Sequence, residues 1–290
     1  DFVQALGPFN AIRKHHASRQ IVLLTTPPFV SMAEASGYFD DIHAGIRPAW
    51  WQLKAILALR RWLHDLNPER VYDLQTSDRS NAYFKLFGSP RPEWSGIAAN
   101  CSHPHTNPQR DGMHTIERQE EQLAMAGVEV KTDFDRNWLN ADIKQFKLPK
   151  RYALLVPGGA PHRPFKRWPH YRSLATRLVR KGITPVILGT WAERDVIDDI
   201  FGACPEAVDL SDKTSLMEIA GLSRKAVAAI GNDTGPMHLI ATTGCRSIVL
   251  YSGASNPTLC AQRGPNVQII RKDQLADIEV EEVEGELTLR

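Results

Sequence analysis

The junction at residues 231–238 constrains the fold more than any other part of the sequence. An apolar segment of strand length, AVAAI at 226–230, precedes it, and a small apolar segment suited to a helix, LIAT at 239–242, follows it. This order predicts a buried strand, a tight turn and a helix. In a parallel α/β sheet such a turn lies at the carboxyl edge, where these sheets bind ligands.

The turn itself, GNDTGPMH, carries groups that suit phosphate. The start of a helix presents unpaired backbone N–H groups and the positive end of the helix dipole, and both attract anions. Thr234 could cap the helix or donate its hydroxyl to a ligand, and His238 follows one helical turn later on the same side. A capped helix with a core histidine is the alternative interpretation. The candidate ligand-binding residues are Asp233, Thr234, Gly235 and His238.

Short apolar segments alternate with helical segments along the whole chain. This pattern predicts mostly parallel sheets with right-handed crossovers. A chain of 290 residues is also longer than a single hydrophobic core usually supports. We therefore predict an α/β protein with two Rossmann-like domains, at residues 1–148 and 149–290, and a terminal helix in the acidic tail at 277–286. The predicted strands cover residues 21–25, 71–75, 152–156, 185–189, 207–210, 226–230, 247–251 and 267–270.

Composition excludes several classes of protein. The net charge of +2 argues neither for nor against nucleic acid, which we do not expect as a partner, and no apolar run reaches the length of a membrane span. The four cysteines form no C-x-x-C pair, which indicates a reducing compartment without disulfides.

Cys101, His103 and His105 lack a fourth ligand at a standard spacing, so we expect an exposed loop rather than a metal site. No signal peptide is visible, and the chain begins at Asp1 as if a strand had just ended, so we expect a first strand to precede it.

A second glycine turn follows the first strand of the second half, at residues 157–169. Gly158 and Gly159 allow the backbone to approach a ligand closely, and Lys166 supplies a flexible positive charge for phosphate oxygens. Two such turns at the edge of one sheet predict a diphosphate site, and a basic surface loop is the alternative. No carboxylate cluster suits a metal-bound diphosphate, so we expect charge neutralisation from Lys166 and helix N-termini, without metal or other cofactor.

Other nucleotide and hydrolase signatures are absent from the sequence. It contains no P-loop, no G-x-G-x-x-G fingerprint and no G-x-S-x-G elbow. Six segments instead resemble the ADP-heptose:lipopolysaccharide heptosyltransferases of glycosyltransferase family 9. In the second half these are DTGPMHL at 233–239, KRWP at 166–169, DL at 209–210 with KTSL at 213–216, and RGPNV at 263–267. In the first half they are DFVQALGP at 1–8 and DLQ at 73–75.

The resemblance implies a GT-B fold, in which an N-terminal acceptor-binding domain and a C-terminal domain for the nucleotide-sugar donor face a central cleft. It implies an inverting, metal-independent transfer of a heptose from ADP-heptose to a lipopolysaccharide core or lipid-linked acceptor. Such an enzyme is expected in the cytoplasm of a Gram-negative bacterium, or peripherally on the cytoplasmic face of the inner membrane, where the acceptor lies.

The matching positions also imply roles for individual residues. Asp1 corresponds to the family's proposed general base, and a helix-capping aspartate is the alternative. Lys166 corresponds to the lysine at the donor phosphates, Glu193 to an acidic residue that binds the ribose, and Thr214 to a position beside the adenine. The diphosphate and sugar are expected against Gly158, Gly159, Asp233, Thr234, Gly235 and His238. The candidate acceptor-binding residues, at the polar end of the second predicted strand, are Gln75 and Arg79.

Two other functions are compatible with the same residues. One is a different enzyme on this fold, either a nucleotide-sugar epimerase or a transferase that uses another donor. The other is a non-catalytic nucleotide-sugar binding protein, which would bind the donor without turnover. Products formed from a panel of nucleotide sugars distinguish these alternatives.

Overall fold

The computed structural model of the chain describes residues 2–45, 47–131, 133–159 and 167–287. The chain forms two compact units, Asp1–Asp135 and Arg136–Arg290.

The division between the units comes before the predicted position at 148/149, because residues 136–148 pack on the second unit. The side chain of Arg224 donates a hydrogen bond to the carbonyl oxygen of Leu139, 2.7 Å away. Gln145 donates to the carboxylate of Glu218 at 2.6 Å. These contacts attach the segment that precedes the first strand of the second unit to a helix of that unit.

Parallel strands and helices alternate in the first unit, but of its five strands the sequence analysis predicted only those at 21–25 and 71–75. The helices are α1 (Leu6–His15), α2 (Val30–Ser36), α3 (Leu53–Leu66), α4 (Asp78–Phe84) and α5 (Thr115–Met125). The strands are β1 (Val22–Thr25), β2 (Asp41–Ala44), β3 (Arg70–Tyr72), β4 (Glu93–Gly96) and β5 (His103–Pro104). Strands β1 and β2 pair in parallel, and β3, β4 and β5 form a second parallel sheet. The apolar faces of α3 and α4 pack with Trp94 of β4 in one core cluster.

The segment around Cys101 and His105 corrects one prediction. It was expected to be an exposed loop, but β5 pairs with β4, and both side chains are buried, at 8% and 5% exposed. His105 Nε2 lies 2.7 Å from a carboxylate oxygen of Glu121 on α5. Addition of a strand to the sheet turns these side chains inward, an effect that local composition does not reveal. Among the residues described, no three His, Cys, Asp or Glu side chains are grouped to hold a metal ion.

The second unit contains one longer sheet. Its strands are β6 (Tyr152–Val156), β7 (Thr184–Ile187), β8 (Val208–Asp209), β9 (Ala228–Asn232), β10 (Ser247–Tyr251) and β11 (Val267–Arg271). Its helices are α6 (Tyr171–Arg180), α7 (Arg194–Ala203), α8 (Leu216–Lys225), α9 (Gly235–Thr242), α10 (Pro257–Cys260) and α11 (Val280–Glu286). Every residue of β6, β9 and β10 is buried, which explains their continuous apolar sequences, because helices cover both faces of a parallel sheet.

The strand order of this sheet is β11-β10-β9-β6-β7-β8, and all neighbours are parallel. Read from β8 and counted from β6 as the first strand, the order is 3-2-1-4-5-6, that of a dinucleotide-binding Rossmann sheet. The chain moves outward from β6 to β8 and then returns to β9 on the other side of β6. The point where the order reverses, between β6 and β9, is where such sheets bind ligands.

The acidic tail forms the predicted terminal helix, α11. Glu284 accepts a hydrogen bond from Arg177 of α6 at 2.7 Å, and the indole N–H of Trp168 donates to the carbonyl oxygen of Ile278 at 2.8 Å. These contacts fix the tail on the second unit. No helix within the described ranges is both long and apolar enough to cross a membrane.

Candidate functional site

The candidate donor site lies on four turns at the carboxyl edge of the second sheet. They follow β9, β6, β7 and β8, which are consecutive in the sheet. The predicted residues occupy these turns in that order: Asp233 and Thr234, then Gly158, then Glu193, then Thr214. The sheet therefore brings together residues that are far apart in the sequence, such as Asn232 and Pro157, which are 75 positions apart.

Asn232, the last residue of β9, joins the two glycine turns. It is 1% exposed, and its amide nitrogen donates to the carbonyl oxygens of Pro157 at 2.9 Å and Gly158 at 3.0 Å. Its amide oxygen accepts from the Tyr171 hydroxyl at 3.1 Å and from the backbone N–H of Trp168 at 3.3 Å. Both hydrogens of the amide group and its oxygen are thus used. The sequence analysis did not single out Asn232, although it adjoins the Asp-Thr pair.

The turn after β9 presents the start of α9 without a side-chain cap. Thr234 occupies the N-cap position, but its hydroxyl donates to the carbonyl oxygen of Asn232 at 3.2 Å and makes no capping hydrogen bond, so the first of its two predicted roles, helix capping, is wrong. Over the described part of the chain, no side chain caps α9. Gly235 is exposed, and Pro236 lies in the first helical turn. Backbone N–H groups at an uncapped helix start are suited to bind an anion.

Gln262 connects Asp233 with His238. Its amide nitrogen lies 3.2 Å from a carboxylate oxygen of Asp233 and 3.4 Å from Nε2 of His238. Its amide oxygen accepts from the Tyr251 hydroxyl at 2.8 Å. Burial raises the pKa of Tyr251, which keeps that hydroxyl a donor. A carboxylate oxygen only accepts, so the amide of Gln262 must turn its nitrogen toward Asp233. An amide nitrogen only donates, so His238 Nε2 accepts from it as well.

His238 is therefore half-buried in a polar network rather than in an apolar core. Gln262 itself is 2% exposed. No motif in the sequence pointed to Gln262, because it lies 29 residues after Asp233 and contacts it only through the fold.

Glu193 sits beside the first glycine turn. One of its carboxylate oxygens accepts from the backbone N–H and the hydroxyl of Thr190, at 2.7 and 2.6 Å, in a capping box at the start of the helical segment that leads into α7. The other oxygen faces Gly158, where a Cβ atom would lie 2.9 Å from it. Only glycine at position 158 therefore leaves Glu193 in this place.

Thr214 is half-buried in the turn after β8, immediately before Ser215, the N-cap residue of α8. The backbone N–H of Asp212 in the same turn donates to the carbonyl oxygen of Gly189 at 3.0 Å. This hydrogen bond attaches the turn after β8 to the turn after β7. The predicted ribose and adenine positions thus belong to connected turns.

Arg167 has a structural role in the site, and its charge is used in an ion pair. It donates to the carbonyl oxygen of Gly159 at 3.3 Å and pairs with Asp195 at 3.1 Å. The positive charge of Arg167 is therefore partly neutralised by Asp195. Two predicted residues, Asp1 and Lys166, lie outside the described residues, and their roles stay predictions.

The sequence profile of glycosyltransferase family 9 (heptosyltransferase) matches residues 56–288. The chain belongs to this family. The resemblance noted from six sequence segments is thereby confirmed.

Similar proteins and structures agree with the family. The chain is 34% identical over 120 residues to lipooligosaccharide heptosyltransferase 2 of Haemophilus influenzae, a match that covers 39% of this chain and 34% of that relative. The matched stretch thus spans about a third of the relative's length.

Two solved structures share the fold over nearly the whole chain. That of the Escherichia coli ADP-heptose lps heptosyltransferase II has a TM-score of 0.76 at 19% identity and covers 99% of this chain and 94% of its own. That of the glycosyl transferase family 9 protein of Veillonella parvula has a TM-score of 0.81 at 17% identity, with coverage of 99% and 93%. The predicted GT-B fold class of this family 9 chain is confirmed.

The candidate acceptor residues of the family 9 chain lie in its first unit, after β3. Gln75 is exposed, and its backbone N–H donates to a carboxylate oxygen of Asp73 at 3.1 Å, as does that of Thr76 at 3.0 Å. Asp73 is buried at 7% exposed, and burial raises its pKa. Arg79 is exposed in the first turn of α4. Asp73 therefore shapes the turn from which Gln75 projects.

Proposed function

We propose that this chain is an inverting glycosyltransferase that transfers a heptose from ADP-heptose to a lipopolysaccharide core acceptor. The observation that carries the proposal is the pair of glycine turns at the switch point of the second sheet, joined by Asn232. Family membership supports the reaction class. The name of the E. coli structural neighbour supports ADP-heptose as the donor and lipopolysaccharide as the acceptor.

The second unit is proposed to bind the donor. The diphosphate would meet the uncapped start of α9 and the backbone of Gly158 and Gly159, while Lys166 supplies positive charge. Preorganised N–H groups and a lysine stabilise the charge that develops on a diphosphate leaving group. Glu193, one oxygen of which faces Gly158, is proposed to accept hydrogen bonds from the ribose hydroxyls. Thr214 is proposed beside the adenine, one strand further along the edge.

The chemical step is a single displacement. An acceptor hydroxyl oxygen forms a bond to the anomeric carbon as the bond to the diphosphate oxygen breaks, and ADP leaves with the electron pair. Asp1 is proposed to take the proton of the attacking hydroxyl, as a general base. Attack from the face opposite the diphosphate inverts the configuration of the anomeric carbon.

No metal is proposed for this step. Mg²⁺ at a diphosphate usually takes carboxylate ligands as well as substrate phosphates, and Glu193 already uses one oxygen in its capping box. Uncapped helix N–H groups and Lys166 would balance the phosphate charge instead. Activity that survives EDTA supports this part of the proposal, and activity abolished by EDTA and restored by Mg²⁺ contradicts it.

The setting of the reaction is also a proposal. We infer a cytoplasmic enzyme of a Gram-negative bacterium that meets a lipid-linked acceptor at the inner membrane, with Gln75 and Arg79 on the acceptor side. Both of these side chains are exposed next to the carboxyl end of β3, which supports their access to a substrate.

Product analysis tests the proposed function. The full-length protein is incubated with ADP-heptose and a deacylated lipopolysaccharide core, and then with UDP-sugars as control donors. We expect a heptosylated core with inverted anomeric configuration from ADP-heptose only. Epimerised nucleotide sugar without transfer would support the epimerase alternative, which family membership disfavours. Tight donor binding with no product from any sugar would indicate a binding protein.

A further inference from the structure

Large apolar side chains are exposed together at the start of α3 in the first unit. Trp50 is 81% exposed, Trp51 66%, Leu53 67% and Leu57 57%. Single exposed hydrophobic residues are common, but neighbouring ones mark interaction surfaces. We call these four residues, with the basic side chains Lys54, Arg60 and Arg61 on the same helix, the α3 face.

The two tryptophans are held outward by an ordered turn. The backbone N–H of Ala49 donates to the side-chain oxygen of Gln52 at 2.8 Å, and the N–H of Gln52 donates to the carbonyl oxygen of Ala49 at 2.9 Å. The Trp50 and Trp51 rings pack edge to face, with centroids 5.5 Å apart. Their exposure is thus a property of a hydrogen-bonded turn next to the first turn of α3.

The core-facing side of α3 is separate from this face. Leu59 and Leu63 are buried in a cluster with Trp94 of β4. The leucines at 53 and 57, one helical turn apart, remain on the surface. The helix therefore has one apolar side that packs in the unit and another that has no neighbour among the described residues large enough to cover it.

The charge of the segment is mostly positive. Residues 47–66, which include all of α3, contain four basic residues and one acidic residue, Asp65 in the last turn of the helix, although the chain as a whole carries a net charge of only +2. Lys54, Arg60 and Arg61 are exposed, and within the described ranges none of the three forms an ion pair. An apolar surface with Trp and Leu, bordered by unpaired basic side chains, is typical of helices that lie in the interface of an anionic membrane.

We propose that the α3 face binds the surface of an anionic lipid bilayer. The indoles and leucines would enter the headgroup region, where tryptophan is favoured, and Lys54, Arg60 and Arg61 would contact lipid phosphates. A second copy of the chain is the less favoured occupant, because two identical basic faces would repel one another in a symmetric pair. The proposal deepens the proposed function and rests on it for one point, the purpose of membrane binding, which would be to hold the enzyme where a lipid-linked acceptor lies. The binding itself can be tested without the reaction.

Vesicle sedimentation tests the face without donor or acceptor. The full-length protein is mixed with vesicles of phosphatidylglycerol and phosphatidylethanolamine, or of phosphatidylcholine alone. We expect binding to the anionic vesicles that weakens at high salt, because screening reduces surface charge attraction. The variant Trp50→Ser/Trp51→Ser should lower the partition coefficient by about tenfold or more. Trp191→Ser is the matched control, since Trp191 is 76% exposed in the second unit and should not affect binding.

A second pair of variants separates charge from apolar contact. Lys54→Ser/Arg61→Ser should lower the affinity for anionic vesicles by about tenfold while the weak binding to phosphatidylcholine stays unchanged. Leu53→Ser/Leu57→Ser should weaken binding to both. Thermal melting checks that each variant is folded, which we expect because the substituted side chains are exposed.

Three outcomes would overturn the proposal. They are a wild-type protein that does not bind anionic vesicles, a folded Trp50→Ser/Trp51→Ser variant that binds them normally, and a dimer of the wild type that this variant converts to monomer without any change in vesicle binding. Transfer to a deacylated acceptor is measured in parallel. If the tryptophan variant loses vesicle binding but still transfers sugar, the α3 face is the membrane-binding surface. If the wild type binds vesicles but does not transfer sugar, the result counts against the proposed function alone.

Discussion

The side-chain amide of Asn232 donates a hydrogen bond to the carbonyl oxygen of Gly158, 3.0 Å away. Asn232 is the last residue of β9, and Gly158 lies in the turn after the neighbouring strand β6, at the point where the strand order of the second sheet reverses. A second bond from the same nitrogen, to Pro157, makes the connection bidentate. The position of the first glycine turn relative to the start of α9 therefore depends on one buried amide.

Asn232→Asp should disrupt this connection with almost no change in volume. The carboxylate cannot donate to either carbonyl, so two buried acceptors lose their partner and an unpaired charge is buried. We expect the free energy of unfolding to fall by about 1–3 kcal/mol or more, and the KM for the donor to rise. Chemical denaturation and donor titration measure the two effects. Asn266→Asp is the control, because Asn266 makes a similar bond to a carbonyl oxygen, of Gly244, at an exposed position; an equal effect of both variants would refute the positioning role of Asn232.

Gly158→Ala should affect the donor more than the fold. The added Cβ would lie 2.9 Å from a carboxylate oxygen of Glu193, which must move. Because the Cβ would also lie 3.0 Å from Cδ and 3.1 Å from Cγ of Glu193, the whole carboxylate must shift and its capping box with Thr190 is lost. Loss of such a cap costs about 1 kcal/mol, so the melting temperature should fall slightly. Calorimetry should show ADP affinity reduced about tenfold, as expected when a charged hydrogen bond is lost. Gly202→Ala on α7, where a Cβ meets nothing within 4 Å, is the control. An unchanged ADP affinity in Gly158→Ala would exclude Glu193 from the nucleotide site.

Gln262→Glu should change the protonation of His238. In the wild type the amide nitrogen of Gln262 donates to His238 Nε2, which favours the tautomer that carries its proton on Nδ1. A carboxylate at 262 would instead accept from Nε2–H and stand beside Asp233. Nitrogen-15 spectra of the histidine ring, assigned with a His238→Gln variant, should show this shift of the proton. We expect transfer to fall by about tenfold or more as the charge around the diphosphate becomes more negative. Identical ring spectra in wild type and variant would contradict the network.

Lys166→Ala should weaken transfer through lost stabilisation of the diphosphate. Removal of one such electrostatic contact typically costs about 3 kcal/mol of transition-state stabilisation. The measurement is kcat/KM for ADP-heptose. Lys150→Ala, an exposed lysine before β6, serves as the control. Equal kcat/KM values for the wild type and Lys166→Ala would reduce the lysine to a surface charge.

Asp1→Asn distinguishes a catalytic base from a helix cap. A cap needs only a side-chain oxygen, which asparagine provides, whereas a base needs an ionisable carboxylate. In the full-length protein we expect normal melting and ADP affinity, and a fall in transfer of about 10²-fold or more. Melting, ADP titration and transfer are measured on one preparation. A normally folded variant that transfers at nearly the wild-type rate would return Asp1 to the role of a cap.

Local sequence determined much of this protein. The order of strand, glycine turn and helix around Asp233 is realised as β9 and α9, and the apolar run YALLV becomes the buried strand β6. These features were predictable because strand and helix periodicity, glycine turns and helix-start residues act over a few positions. The family membership followed from short segments in a fixed order, and the matching profile agrees.

The tertiary structure decided which turns meet and which groups connect them. Strand order places β6 beside β9, and only then can Asn232 bond to Gly158, 74 positions away. The same holds for Gln262 between Asp233 and His238, for the Thr234 hydroxyl that turns back to a carbonyl instead of capping α9, and for the burial of Cys101 and His105. Hydrogen bonds of this kind join residues distant in sequence, and a buried polar group accepts whichever partner the packing brings within about 3 Å. That partner is set by the arrangement of strands and helices, which no local pattern encodes.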